Sequence, residues 1–120
     1  MMTESEIFAV IETALPGRAF FMLAPMDVRE PYLIFSRISQ LPQNTLDGYA
    51  QTDLVHYQID SYARTHRDAL ANMEAVIAAL RACPDPPIVN NEQDLYEQDT
   101  RIHRTTIDIS TWYEPQKVTQ

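Results

Sequence analysis

Apolar and polar residues alternate along residues 53–63, and the alternation then changes to the spacing of a helix. Val55, Tyr57 and Ile59 lie on one side of this segment with polar residues between them, which predicts a half-buried strand. Thr65 is placed to cap the helix that follows. The apolar residues of that helix form one stripe: Ala69, Leu70, Met73, Val76, Ile77 and Leu80. A strand and a helix that share one core are therefore predicted.

A helix is also predicted near the start of the chain, from Thr3 to Leu15. Thr3 and Glu6 have the spacing of a capping box, and Pro16 with the glycine after it would end the helix. A brief strand is predicted from Arg18 to Leu23, where the residues are mostly apolar.

The next strand is predicted from Tyr32 to Gln40, a segment rich in β-branched and aromatic residues. Leu33 and Phe35 lie on one face of this strand, and Ile34 and Ile38 lie on the other. Apolar residues on both faces indicate a central strand, or a strand with one face covered by another subunit.

Residues 41–52 are predicted to form a long loop, because Pro42, Asn44 and the turn dipeptide Asp47-Gly48 lie within them. A tight hairpin needs fewer residues, and longer loops often make contacts with partners. The candidate interface residues are Asn44, Thr45, Leu46, Asp47 and Gly48.

The segment from Cys83 to Asp99 contains three prolines and five acidic residues with no cation. It is predicted to be an acidic loop with at most a short edge strand at residues 88–89. A last strand is predicted from Arg101 to Tyr113, and residues 114–120 are expected to be a mobile tail.

This order of elements predicts an α+β fold. The largely antiparallel sheet would have about four to five strands, with two helices packed on one face. The length of 120 residues fits a single domain covering residues 1–120.

The chain is acidic, with nine basic and 17 acidic residues and a net charge of −8. Such a charge disfavours a protein that grips nucleic-acid phosphates. No basic, apolar leader precedes the first helix, and no apolar run reaches the length of a membrane span, so we expect a soluble protein that does not enter a membrane. Cys83 is the only cysteine, which excludes an internal disulfide.

The sequence contains no pattern typical of catalysis, of cofactor binding or of metal binding. Its three histidines, His56, His66 and His103, are not clustered in the chain. The acidic run from Glu92 to Asp99 lacks the central glycine of a calcium loop. We therefore expect no catalytic residues, no metal and no cofactor, and a protein that is not an enzyme.

Three segments carry a resemblance to a known family: PYLIFSRIS, residues 31–39; DLVHYQIDSYARTHRDALANMEAVIAAL, residues 53–80; and YEQDTRIHRTTIDISTWYEP, residues 96–115. In these segments, about two thirds of the chain, it resembles the tail completion, or tail terminator, proteins of long-tailed bacteriophages and prophages.

The resemblance implies a structural virion protein, assembled in the host cytoplasm and placed at the junction of tail and head. Such proteins form a ring, commonly a hexamer, that caps the tail tube protein, stops its polymerisation and joins the head-completion or connector protein. DNA would pass through the ring without specific binding, which an acidic channel favours. The candidate channel-lining acids are Glu92, Asp94, Glu97 and Asp99.

Two alternatives remain open. One is a different phage neck or baseplate adaptor, which would occupy another place in the particle. The other is a small ferredoxin-like domain that binds a ligand or acts as an enzyme, which would need a pocket with convergent polar groups.

Overall fold

The computed structural model describes residues 2–45 and 48–113, with side chains described for residues 2–40 and 54–112. Its elements, in chain order, are α1 (Glu4–Ala14), β1 (Ala19–Phe21), β2 (Tyr32–Thr45), β3 (Gly48–Ala63), α2 (His66–Arg81), β4 (Ile88–Glu97) and β5 (Ile102–Tyr113). The strands form one sheet in the order β1-β2-β3-β5-β4. β1 is parallel to β2, and all other neighbours are antiparallel. The predicted α+β fold is confirmed.

Both helices lie on the same face of the sheet, which we call the helix face. The side chains that fill the space between helices and sheet are almost fully buried, and they come from every element except β4: Ile7, Ile11, Ala19, Leu33, Phe35, Val55, Tyr57, Ile59, Met73, Val76, Leu80, Ile107 and Ile109. Alternate residues of each strand point to this face because the side-chain period of a strand is two. The predicted core positions of β3 are therefore confirmed, as are those of α2 apart from Leu70, which is half-buried and outside this cluster.

Each helix begins at the residue that the sequence indicates. The Glu6 amide donates a hydrogen bond to Thr3 Oγ1 at 3.2 Å, and the Thr3 amide donates to Glu6 Oε1 at 2.8 Å. The backbone hydrogen bond from Thr3 is the main cause of a lowered pKa at Glu6, since it stabilises the carboxylate. In α2, Thr65 Oγ1 accepts a hydrogen bond from the Asp68 amide at 3.1 Å. Both ends thus satisfy amides that the helix itself leaves unpaired.

The predicted loop over residues 41–52 is wrong, because most of this segment continues β2 and β3. Thr45 pairs with Gly48 in an antiparallel ladder, and Leu46 and Asp47 lie outside the described residues. Pro42 suggested a loop because it cannot donate to a sheet. β1, however, pairs with β2 only at residues 33–35, so Pro42 stands on a free edge where a missing donor is tolerated.

The predicted acidic loop over residues 83–99 is also wrong in its second half. β4 extends over ten residues, Ile88–Glu97, rather than only residues 88–89. The three prolines all precede this strand, so they do not interrupt its ladder with β5. Its acids remain in solvent because β4 is the edge of the sheet, where charged side chains are common.

Candidate assembly surface

The ends of β2 and β3 extend past the last described pair of the ladder between β3 and β5 as a two-stranded arm, residues 43–45 and 48–52. The ladder between β3 and β5 reaches only to Asp53, which pairs with Tyr113. In the described part of the chain, the two strands of the arm therefore pair only with each other. An isolated two-stranded hairpin is marginally stable in water, so the arm is suited to packing on another molecule.

The candidate interface residues lie at the end of this arm. Asn44 pairs with Tyr49, and Thr45 pairs with Gly48. The structure thus places Asn44, Thr45 and Gly48 in strands, while the two residues between them lie outside the described residues. Their common position at the tip of a projecting element fits the contact role that the sequence suggested.

The edge of the sheet formed by β1 carries an exposed apolar patch, which we call the β1 patch. It consists of Phe21, Met22, Leu23 and Met26, whose exposed fractions are 45%, 54%, 80% and 105%. Met22 has a φ of 69°, in the left-handed region that non-glycine residues seldom adopt. The chain turns away from the sheet at this residue, so the apolar side chains after it point into solvent.

The opposite edge of the sheet holds a second exposed apolar surface, next to a cleft of about 300 Å³. The residues that line this cleft come from β3, the loop before β4, β4 and β5: Leu54, Asp85, Pro86, Ile88, Ser110, Thr111 and Trp112. Ile88 and Trp112 are 58% and 43% exposed. Most of the large exposed apolar residues among the described side chains thus lie on the two edges of the sheet, a pattern typical of interaction sites.

The four candidate channel acids do not form one cluster. Glu92 and Asp94 lie on the helix face of β4, as their partners Ile107 and Thr105 show. Asp94 Oδ1 accepts a hydrogen bond from Thr105 Oγ1 at 2.9 Å. The other two acids lie at the far end of β4: Glu97 is its last residue and accepts a hydrogen bond from Thr100 Oγ1 at 3.3 Å, and Asp99 follows in the turn. The set therefore divides into an edge pair and a turn pair.

The sheet face opposite the helices, the open face, has a polar and aromatic centre that the sequence did not reveal. The rings of Tyr32 and Tyr62 stack with their centroids 4.8 Å apart. Arg104 Nη1 donates to the Tyr62 hydroxyl at 3.3 Å, and this hydrogen bond is the main cause of the raised pKa of Arg104. Desolvation by burial is the main cause of a raised pKa at Tyr32.

A buried carboxylate completes this centre. Asp60 is only 5% exposed although no helix of the described chain covers the open face, and it accepts hydrogen bonds from Gln58 Nε2 at 3.0 and 3.1 Å. Ile34 is half-buried and Ile38 is 55% exposed on or beside this face. The open face is thus less apolar than Ile34 and Ile38 suggested. The alternation of residues along β3 predicted which face Asp60 lies on, but it could not predict that neighbouring side chains bury it.

The histidines do not form a metal site in the described residues. His56 pairs with Ser110, and His103 pairs with Ala63, so these two histidines are not cross-strand neighbours. The rings of His66 and His103 lie 6.2 Å apart, a proximity set by the packing of α2 against the sheet. Among the described residues, no group of three or more potential ligands could hold a metal ion.

No helix in the described ranges, 2–45 and 48–113, is long and apolar enough to cross a membrane.

Comparison with known proteins relates this fold to phage tails. A family model described as "Tail completion protein gp17" matches residues 6–114, a range that includes every strand and nearly all of both helices. No curated protein matches the chain. Among solved structures, the fold is similar to a chain from the "Virion of native gene transfer agent (GTA) particle", with a TM-score of 0.67 and 13% identity. The similarity covers 89% of this chain and 86% of that chain.

Proposed function

The chain belongs to the tail completion protein gp17 family, and we propose that it caps the tail tube, stops its polymerisation and joins the tail to the head connector. The observation that carries this proposal is the family match over residues 6–114, which includes every strand, all of α2 and all but the first two residues of α1. The similarity of fold to a chain of a gene transfer agent virion supports a place in a particle of this kind.

The cap would be a ring of identical copies, with six as the expected number, at the junction of tail and head in the virion. Its partners would be the tail tube protein on one side and the head-completion or connector protein on the other, and it would assemble in the host cytoplasm. DNA would pass through the ring without specific binding. The net charge of −8 supports this passage, since an acidic channel repels phosphates.

We propose that the arm makes the contacts on which capping depends. Asp53 is the β3 residue at which pairing with β5 begins, and the arm lies beyond it. In the described chain, the ladder between β3 and β5 does not extend past this residue into the arm. A partner that packs on the arm would supply the third layer or strand that a two-stranded ribbon needs.

Deletion of residues 44–48 is expected to leave the chain folded while abolishing tail completion, because these residues lie beyond the described ladder between β3 and β5. Circular dichroism would check folding, and electron micrographs of complementation lysates would show tails of uncontrolled length, or heads and tails left unjoined. The matched control replaces the same five residues by serine and glycine at unchanged length. It distinguishes the effect of losing these side chains from the effect of shortening the arm. Normal tails joined to heads in the deletion variant would refute the role of the arm.

The turn pair of acids, Glu97 and Asp99, is proposed to face the channel. The double variant Glu97→Gln with Asp99→Asn should assemble normally and eject DNA more slowly, since the channel would lose negative charge that repels the duplex. The matched control is Glu92→Gln with Asp94→Asn, which removes the same charge from the edge of the sheet and should not slow ejection from the particles that do form. Measurement of DNA release from purified particles distinguishes the two variants, and unchanged ejection in the first would place the turn outside the channel.

A further inference from the structure

We propose that the two edges of the sheet are the two halves of a head-to-tail contact between copies of this chain. In this contact, which rests on the proposed ring, the β1 patch of one copy packs into the cleft beside β4 of the next. A cyclic ring of more than two identical subunits requires two different, complementary surfaces on each subunit. Among the described side chains, the large exposed apolar residues other than Ile38, Leu95 and Tyr96 lie in two such places.

The shapes of the two surfaces are complementary. Leu23 and Met26 project from the β1 edge with 80% and 105% of their surface exposed. The opposite edge offers a cleft of about 300 Å³ whose lining includes the apolar side chains of Ile88 and Trp112. Burial of exposed apolar side chains in such a cleft would release about 25 cal/mol for each Å² of apolar surface removed from water.

The two surfaces also lie on the same side of one row of paired residues. Phe21 pairs with Phe35, and cross-strand pairing carries that row through Ile59 and Ile107 to Glu92 on β4. The β1 patch continues from Phe21 in the direction of β2, and the cleft extends from this row in the same direction, toward the start of β4. Ile88 pairs with Ser110, and that row passes through His56, three residues of β3 from Ile59, so the patch and the cleft lie toward the same end of the sheet.

The edge formed by β4 is more acidic than the side of the sheet where β1 lies. Residues 83–99, which include β4, carry five acidic residues and no cation. Arg29 and Arg37 are exposed on the side of the sheet where β1 lies, together with one exposed acid, Asp27. Contact between the two edges therefore brings arginine toward Glu92 and Asp94, and such complementarity favours correct pairing.

The same charges disfavour a symmetric contact of β4 with β4. The long exposed edge of β4 could in principle pair with its own copy by backbone hydrogen bonds. Such pairing would bring the acidic residues of the two β4 strands, Glu92, Asp94 and Glu97, close to one another, and like charges across strands are destabilising. The structure thus favours a head-to-tail neighbour over a two-fold one.

Site-specific cross-linking in assembled particles tests this contact. In a Cys83→Ser background, the double variant Leu23→Cys with Ile88→Cys is expected to give a ladder of covalent oligomers with a short bis-maleimide reagent, up to the size of the ring. Each single variant is the matched control and should give no ladder, since one copy would supply only half of each contact. Both positions are more than half exposed, so neither variant should disturb the core. A second pair, Met26→Cys with Trp112→Cys, repeats the test if the first pair does not complement.

The outcomes separate this contact from the proposed function. A ladder from the double variants alone supports the head-to-tail contact. Normal tails with no ladder from either pair would overturn the contact and leave the capping role intact. A covalent dimer from a single variant would reveal a two-fold contact and overturn the proposal. Loss of the protein from particles whose tails are nonetheless complete would contradict the capping role itself.

Discussion

Met73→Asp is expected to leave the chain unfolded. The Met73 side chain is fully buried in the middle of α2, in contact with the core that both helices share with the sheet. A carboxylate there would lose its hydration without gaining a partner, at a cost of several kcal/mol. That cost is comparable with the total stability of a domain of this size, about 5–15 kcal/mol. Circular dichroism at 25 °C should show loss of the helical signal and no cooperative melt.

The matched control for this change is Ala71→Asp, which introduces the same carboxylate on the exposed side of the same helix. Its cost should be limited to helix propensity, about 0.7 kcal/mol or less, and the protein should melt cooperatively. Equal behaviour of the two variants would mean that the buried face of α2 has been assigned wrongly.

Phe35→Ala is expected to cost about 3–5 kcal/mol of unfolding free energy, the usual range for truncation of a buried phenylalanine. Phe35 is 1% exposed and stands at the centre of an aromatic cluster. Its ring centroid lies 4.9 Å from that of Tyr57, 5.8 Å from Phe21 and 6.2 Å from Phe8. Urea unfolding should show a lower midpoint at an unchanged slope, since the surface exposed on unfolding hardly changes.

Phe20→Ala provides the comparison, because Phe20 is the neighbouring residue of β1 and is only half-buried on the open face. The same atoms are removed, but they leave no closed cavity, so the loss should be clearly smaller. A loss at Phe20 as large as that at Phe35 would show that the open face is packed as tightly as the helix face.

Phe35 also links the core to the proposed contact between copies. Phe21 belongs to the β1 patch and touches Phe35 with its ring, so the apolar surface on the β1 edge continues directly from the core. The position of Phe21 in the proposed interface therefore depends on its packing against Phe35 in the core. We therefore expect Phe35→Ala to weaken ring formation as well as stability.

Local pattern was sufficient to predict most of the fold. The caps at Thr3 and Thr65 involve residues only three positions away, so neighbouring residues in the chain decide them. The core faces of α2 and β3 follow from the periods 3.6 and 2, which are properties of the helix and the strand themselves. The family resemblance rests on these same segments, and the family match confirms it.

Strand pairing was decided only by the tertiary structure. From sequence alone, Pro42 indicates a loop. In the described structure β1 pairs with β2 only at residues 33–35, so the edge of β2 at Pro42 is unpaired there and tolerates a proline. The acidic residues of β4 likewise suggested a loop. The ladder with β5 shows instead that they lie on a sheet edge that faces solvent. Backbone hydrogen bonds between distant segments carry no signature in either segment alone.

The candidate assembly surface shows the same division. The sequence determined which residues are apolar or acidic, and its turn dipeptide placed the end of the arm near Gly48. Only the sheet order β1-β2-β3-β5-β4 put the β1 patch and the acids of β4 on opposite edges. Sheet order depends on contacts between residues far apart in the chain, whose formation the local periods of helix and strand do not specify.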